Sequence, residues 1–147
     1  MEKSTDQGGF VTIKVFDRSL EALSKTLDLR SEKQVIISAN IANSDTPGYQ
    51  AQELNFESAL ASALTLDESP IARTHAGHRG SGGPISEVRG ELANQINDVV
   101  REDGNTVDRD VEMAALAENQ LLYTAAADLL KKKLALLKYS INDGGGN

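Results

Sequence analysis

Asn40-Ile41-Ala42-Asn43-Ser44-Asp45-Thr46-Pro47-Gly48-Tyr49 is the stretch at which this chain must change direction. Pro47 disfavours a helical Thr46, and Pro47-Gly48 suits the central positions of a type II turn. Asn43 tolerates the left-handed conformation that ends a helix. A helix arriving from the N-terminal side therefore stops here and the chain turns.

Outward from that turn, glycine and proline are absent between Phe10 and Pro47, and again between Asn105 and Asn142. All three prolines, Pro47, Pro70 and Pro84, lie between those two stretches. Two unbroken arms thus flank a broken centre. In the first arm apolar residues recur at alternating spacings of three and four: Ile13, Phe16, Leu20, Leu23, Leu27, then polar Arg30 and Gln34, then Ile37 and Ile41. The second arm repeats the device with Met113, Leu116, Gln120, Tyr123, Ala127, Leu130, Leu134, Leu137 and Ile141. Each set is a coiled-coil seam, and each arm would run about 45–50 Å at 1.5 Å per residue.

The reading predicts a mainly α fold in which long N- and C-terminal helices pair as an antiparallel coiled coil around a short irregular middle. Residues 1–12 are expected to form a disordered polar leader and 13–43 the N-terminal helix. Residues 44–105 form the middle, 106–141 the C-terminal helix and 142–147 a flexible tail. Aligning the seams end to end places Leu23 against Leu130, Arg30 against Tyr123 and Gln34 against Gln120, so that polar residues meet and Arg30 stacks on a ring. A second apolar ridge, Ala115, Leu122, Ala126, Leu129 and Leu136, runs along the C-terminal arm. One partner helix cannot cover both ridges, so neighbouring subunits are expected to cover the second. The rival explanation is a third helix from Leu54 to Leu66, with Phe56, Leu60, Ala63 and Leu64 as its apolar face. The centre from Ser69 to Gly90 reads as a glycine-rich loop with short strands around Ile85 to Val88.

Composition narrows the function. Only 4% of residues are aromatic and none is Trp, so the apolar material is of the kind that packs helix on helix. A formal charge of -7 repels phosphate backbones, and Lys131 to Lys133 form a solvated helix turn, so no nucleic-acid partner is expected. The absence of cysteine removes disulfides, thiol catalysis and zinc-thiolate sites, and suits work outside the cytoplasm. No apolar run approaches a secretory h-region or a membrane span.

A second specific stretch, Asp103-Gly104-Asn105-Thr106-Val107-Asp108, precedes the C-terminal arm, with Asp108 as N-cap and Asp110 and Glu112 in the first turn where the helix dipole favours negative charge. The string Asn40 to Tyr49, with Asn40, Ile41, Ala42, Asn43, Thr46, Pro47, Gly48 and Tyr49 as its informative members, closely resembles the signature of the flagellar rod and hook axial protein family. The stretch Asp103 to Gln120 is similar to the start of the C-terminal helix in the family's proximal rod members. The resemblance covers the two arms, and the short centre differs from the larger inserted domains of distal rod and hook members.

That resemblance implies a structural subunit exported by the flagellar type III apparatus without a cleaved signal. The subunit would polymerise through its terminal helices into the periplasmic rod of the basal body and be required for motility. The implied partners are other copies of the chain, other rod and basal-body proteins and the export apparatus. Phe16 followed by Leu20 is similar to an early-export pattern of such substrates, although both are also seam positions. Members of the family usually begin close to the first helix, whereas Met1 to Phe10 here forms an additional polar leader.

No enzyme, cofactor, small-molecule substrate or metal is expected. His75 and His78 share a glycine-rich loop but lack a third ligand nearby. The acidic run from Asp103 has Val107 and Asp108 where a calcium loop needs an oxygen ligand and a glycine. No phosphate loop or nucleophile elbow occurs. The alternatives are another proximal rod member of the same family and a helical-hairpin adaptor outside the flagellum.

Overall fold

The computed structural model describes residues 8–65, 84–95 and 101–143. Helix α1 spans Gly8–Ala42 and helix α3 Arg109–Asp143, and the two pack against one another in antiparallel fashion. Between them lie strand β1 (Gln52–Asn55), helix α2 (Glu57–Thr65), a 3-10 turn (Ile85–Glu87) and strand β2 (Glu91–Asn94). The strands form an antiparallel pair running from Gln52 opposite Asn94 to Asn55 opposite Glu91. Because α1 begins at Gly8, the last residues of the expected polar leader are helical. His75 and His78 lie outside the described residues.

The core forms on a face of α1 that the seam pattern did not single out. Ala22, Leu29 and Ile36, spaced by seven, pack against Leu54 of β1, Phe56, Leu60 and Ala63 of α2, and Ile85 and Val88. Polar contacts fasten the same layer. Arg18 donates to the carbonyls of Ala63 and Leu64 and so caps the end of α2, while the Ser86 amide donates to Glu21. Lys33 reaches Glu57 at 3.1 Å, and Arg30 and Lys33 both lie over the Phe56 ring. Burial alone would push the Glu57 carboxyl up, yet the backbone amides of Glu57 and Phe56, together with Lys33, hold it below its ordinary value.

Two expectations for the centre change. The residues at Ile85 to Val88 form a 3-10 turn closed by bonds from Glu87 N to Pro84 O and Val88 N to Ile85 O, not a strand. A three-residue repeat sets Ile85 and Val88 on one side, so both reach the core, which alternating strand geometry would forbid. The third helix does not start at Leu54. Leu54 belongs to β1, α2 begins at Glu57, and the helix covers α1 rather than the second ridge of α3. Gly90 lets the chain pass over Leu54, since a Cβ there would stand 2.6 Å from its side chain.

Candidate functional site

The two sequence motifs, far apart in the chain, meet as one polar knot at the end of α1. Asn40, wholly buried on the last turns of α1, faces Gln52 and bonds both of its backbone groups, donating to the carbonyl at 2.7 Å and accepting from the amide at 3.0 Å. Its amide group thus pairs with β1 as another strand would. The Tyr49 hydroxyl donates to the same Asn40 oxygen. The helix ends at Ala42, and the Asn43 side chain turns back to the Ala39 carbonyl.

Thr46-Pro47-Gly48-Tyr49 then closes a turn through Tyr49 N to Thr46 O, with Gly48 at φ 72 where type II geometry needs a positive value. Gly104, at φ 79, sits against Gly48, and the Gly48 amide donates to the Asp103 carbonyl. Asn105 is the centre of the knot. Its buried amide donates to the carbonyls of Asn43, Ser44 and Thr46 at 2.9, 3.1 and 2.8 Å, while its oxygen accepts from Val107 N. One side chain therefore ties down three carbonyls of the turn that follows the helix. Val107 is buried beside it, and Asp108 caps α3 by accepting from the amides of Asp110 and Val111. Ile41 is half-buried on α1, while Ala42, Thr46 and Pro47 are exposed on the rim of the turn.

Sequence reasoning missed several members of this knot. Thr106 accepts from Ala51 N and donates its own amide to Tyr49 O. Ser44 is buried and receives Arg109 on its hydroxyl and Arg101 on its carbonyl, and Arg109 also pairs with Asp45 at 2.8 Å. The opposite charges of Asp45 and Arg109 were legible, but nothing local said that they would meet. Among the described residues, no three His, Cys, Asp or Glu groups converge as a metal ion would require.

The helix pair shows which seam positions touch. Asn119 lies between Arg30 and Gln34, donating to the Arg30 carbonyl and to Gln34 Oε1 and accepting from the Arg30 guanidinium. Gln34 thus meets Asn119 and not Gln120, and Arg30 stacks on Phe56 and not Tyr123. The shorter amide of Asn119 reaches backbone and side chain together, and Phe56 presents its ring from the core directly below Arg30. The inner line of α3 is Glu112, Asn119 and Ala126, all buried, flanked by half-buried Leu116, Leu130 and Leu137. Met113, Gln120, Tyr123, Leu134 and Ile141 face out. On α1, Leu20, Leu23, Leu27 and Gln34 are half-buried and Ile37 is buried. Phe16 lies within the helix, but its side chain is outside the described residues. Beyond the seam, α3 exposes an apolar surface that includes Leu121 at 70%, Leu129 at 53% and Leu136 at 60%.

Comparison with known proteins gives this geometry a context. The model of a family described as flagella basal body rod protein matches residues 20–50, which take in α1 from Leu20 to its end and the turn. The flagellar basal body rod protein FlgB of Salmonella typhimurium is 34% identical over 122 residues, covering 80% of this chain and 88% of that protein. FlgB of Yersinia enterocolitica is 36% identical over 115 residues, 73% of this chain and 81% of its own length. FlgB of Cereibacter sphaeroides is 33% identical over 126 residues, 86% of this chain and 95% of its own.

Proposed function

We propose, from the premise that this chain belongs to the FlgB family of flagellar basal body rod proteins, that it polymerises through its terminal helices with further copies and with other rod proteins. As a member of that family it is a structural subunit of the basal-body rod. The proposal adds the rest of its working life. It is exported by the flagellar type III apparatus without a cleaved signal, with Phe16 and Leu20 serving recognition. It assembles in the periplasmic part of the rod and is needed for swimming. Its role is mechanical, without catalysis.

The observation that supports this reading best is the leucine-rich surface that α3 leaves uncovered in a lone chain. Each leucine buried there contributes roughly 1.5–3 kcal/mol, so neighbours that cover several of them gain strongly. The knot at the turn fits the same role, because it fixes the angle at which the two arms leave the subunit.

Deletion of the gene followed by electron microscopy of basal bodies tests the proposal. Rods that fail to extend beyond the base are expected, with loss of swimming restored by the intact gene. Normal rods and filaments in the deletion strain would overturn it.

A further inference from the structure

Helix α3 carries two lines of residues able to face α1, and we infer that assembly into the rod rolls the helix from one to the other. The inference rests on the structural-subunit reading above. Both seams share the half-buried Leu116, Leu130 and Leu137. In the described fold the second line is Glu112, Asn119, Ala126 and Lys133, the first three buried and Lys133 half-buried. One residue further around the helix runs Met113, Gln120, Ala127 and Leu134, of which Met113 and Leu134 are 51% and 50% exposed. Each line repeats every seven residues and alternates by three and four with the shared line, so either makes a coiled-coil seam. Exchanging them turns the helix by about 50°, half of the angle between successive residues.

Three features favour the second roll. Both carboxylate oxygens of Glu112 are buried without a hydrogen-bond partner among the described residues, an arrangement that native interiors avoid, and the roll returns them to water. The same rotation brings Met113 and Leu134 in. The side of α3 that would leave α1, at Ala115 and Leu122, borders a cavity of about 200 Å³ also lined by Arg30 and Ile37, so little packing is lost there. What holds the described roll is Asn119, bonded to Arg30 and Gln34, together with Arg109 in the first turn, bonded to Ser44 and Asp45. In the other roll Gln120 takes that place with the same amide chemistry. The rotation also turns Leu122, Leu129 and Leu136 away from α1 and toward the neighbouring subunit, which couples it to assembly.

The chain contains no cysteine, so pairs can be placed without background. Ala126 falls between Leu23 and Leu27 one heptad beyond Asn119. Two full-length variants, Leu27→Cys with Ala126→Cys and Leu27→Cys with Ala127→Cys, are oxidised as purified subunits and within isolated basal bodies. The 126 pair closes faster in the subunit and the 127 pair faster in basal bodies, the ratio moving by about tenfold, which corresponds to a bias of about 1.4 kcal/mol. A single Glu112→Cys variant gives an independent measurement: maleimide labels it slowly in the subunit and faster in basal bodies. An unchanged preference for 126, or a thiol at position 112 that assembly shields further, overturns the roll and leaves the subunit role intact. Absence of the wild-type chain from basal bodies overturns the role itself and the roll with it.

Discussion

Helices α1 and α3 are equal in length, 35 residues each, and nearly opposite in use. α1 is covered on two sides: α3 lies along Arg30, Gln34 and Ile37, and the β1–α2 layer lies along Ala22, Leu29 and Ile36. α3 is buried along one thin line of Glu112, Asn119 and Ala126, while Leu121, Leu129 and Leu136 stay exposed. The difference teaches that an apolar residue on a long helix does not announce its partner. The middle segment folds back onto one arm and leaves the other with several leucines outward, so one arm organises the subunit and the other presents a surface to neighbours.

Substitutions can break or sharpen that contrast. Phe56→Ala, which empties the layer over α1, should cost the isolated subunit about 3–5 kcal/mol in urea unfolding. A much smaller loss would mean that α1 is not the organiser. Asn105→Ala removes the donor that serves three carbonyls and should cost about 2–3 kcal/mol. The same measurement on Asn105→Asp, which keeps the shape and loses the donors, should be at least as damaging.

The Lys33–Glu57 pair gives a smaller, pH-dependent effect. The Glu57 carboxyl titrates below its ordinary 4.5 in the folded chain. Its contribution is therefore present above the unfolded value and disappears as pH falls through the lower, folded one. Because Glu57 is about half exposed, the loss should be under about 1 kcal/mol. Glu57→Gln should flatten the stability profile between neutral and acid pH, and an unaltered profile would remove the pair from the account. Smallest of all, Leu136→Ala should shift subunit stability by no more than about 0.5 kcal/mol. The same change should nonetheless impair swimming on soft agar, and a silent variant there would detach the exposed face of α3 from assembly.

Much of this was legible in the residues. The gap in glycine and proline marked both long helices, and Pro47-Gly48 marked the turn between α1 and β1. Asp108 was readable as a cap because the amides it accepts from lie within the next turn. What sequence could not supply was the choice between adjacent helix lines. Periodicity alone favours Met113 and Leu134 over Glu112 and Lys133, and the preference reverses because Asn119 finds both the Arg30 carbonyl and Gln34. Leu29 escaped notice for the same reason: its partners are Leu54, Phe56 and Ile85, contributed by a region with little periodicity of its own. The knot was visible as two motifs, but its closure depends on contacts some 60 residues apart in sequence, which no local rule reaches.

That separation sets a schedule. A polypeptide made from its N-terminus has completed the sequence of α1 and the turn long before Asn105 exists, so the bonds from its amide to Asn43, Ser44 and Thr46 must wait while some 60 further residues are added. Closing so long a loop carries an entropic cost that the later contacts must offset. The place where the two arms join thus stays open across that interval, and until residue 105 arrives the first helix is an arm without a shoulder.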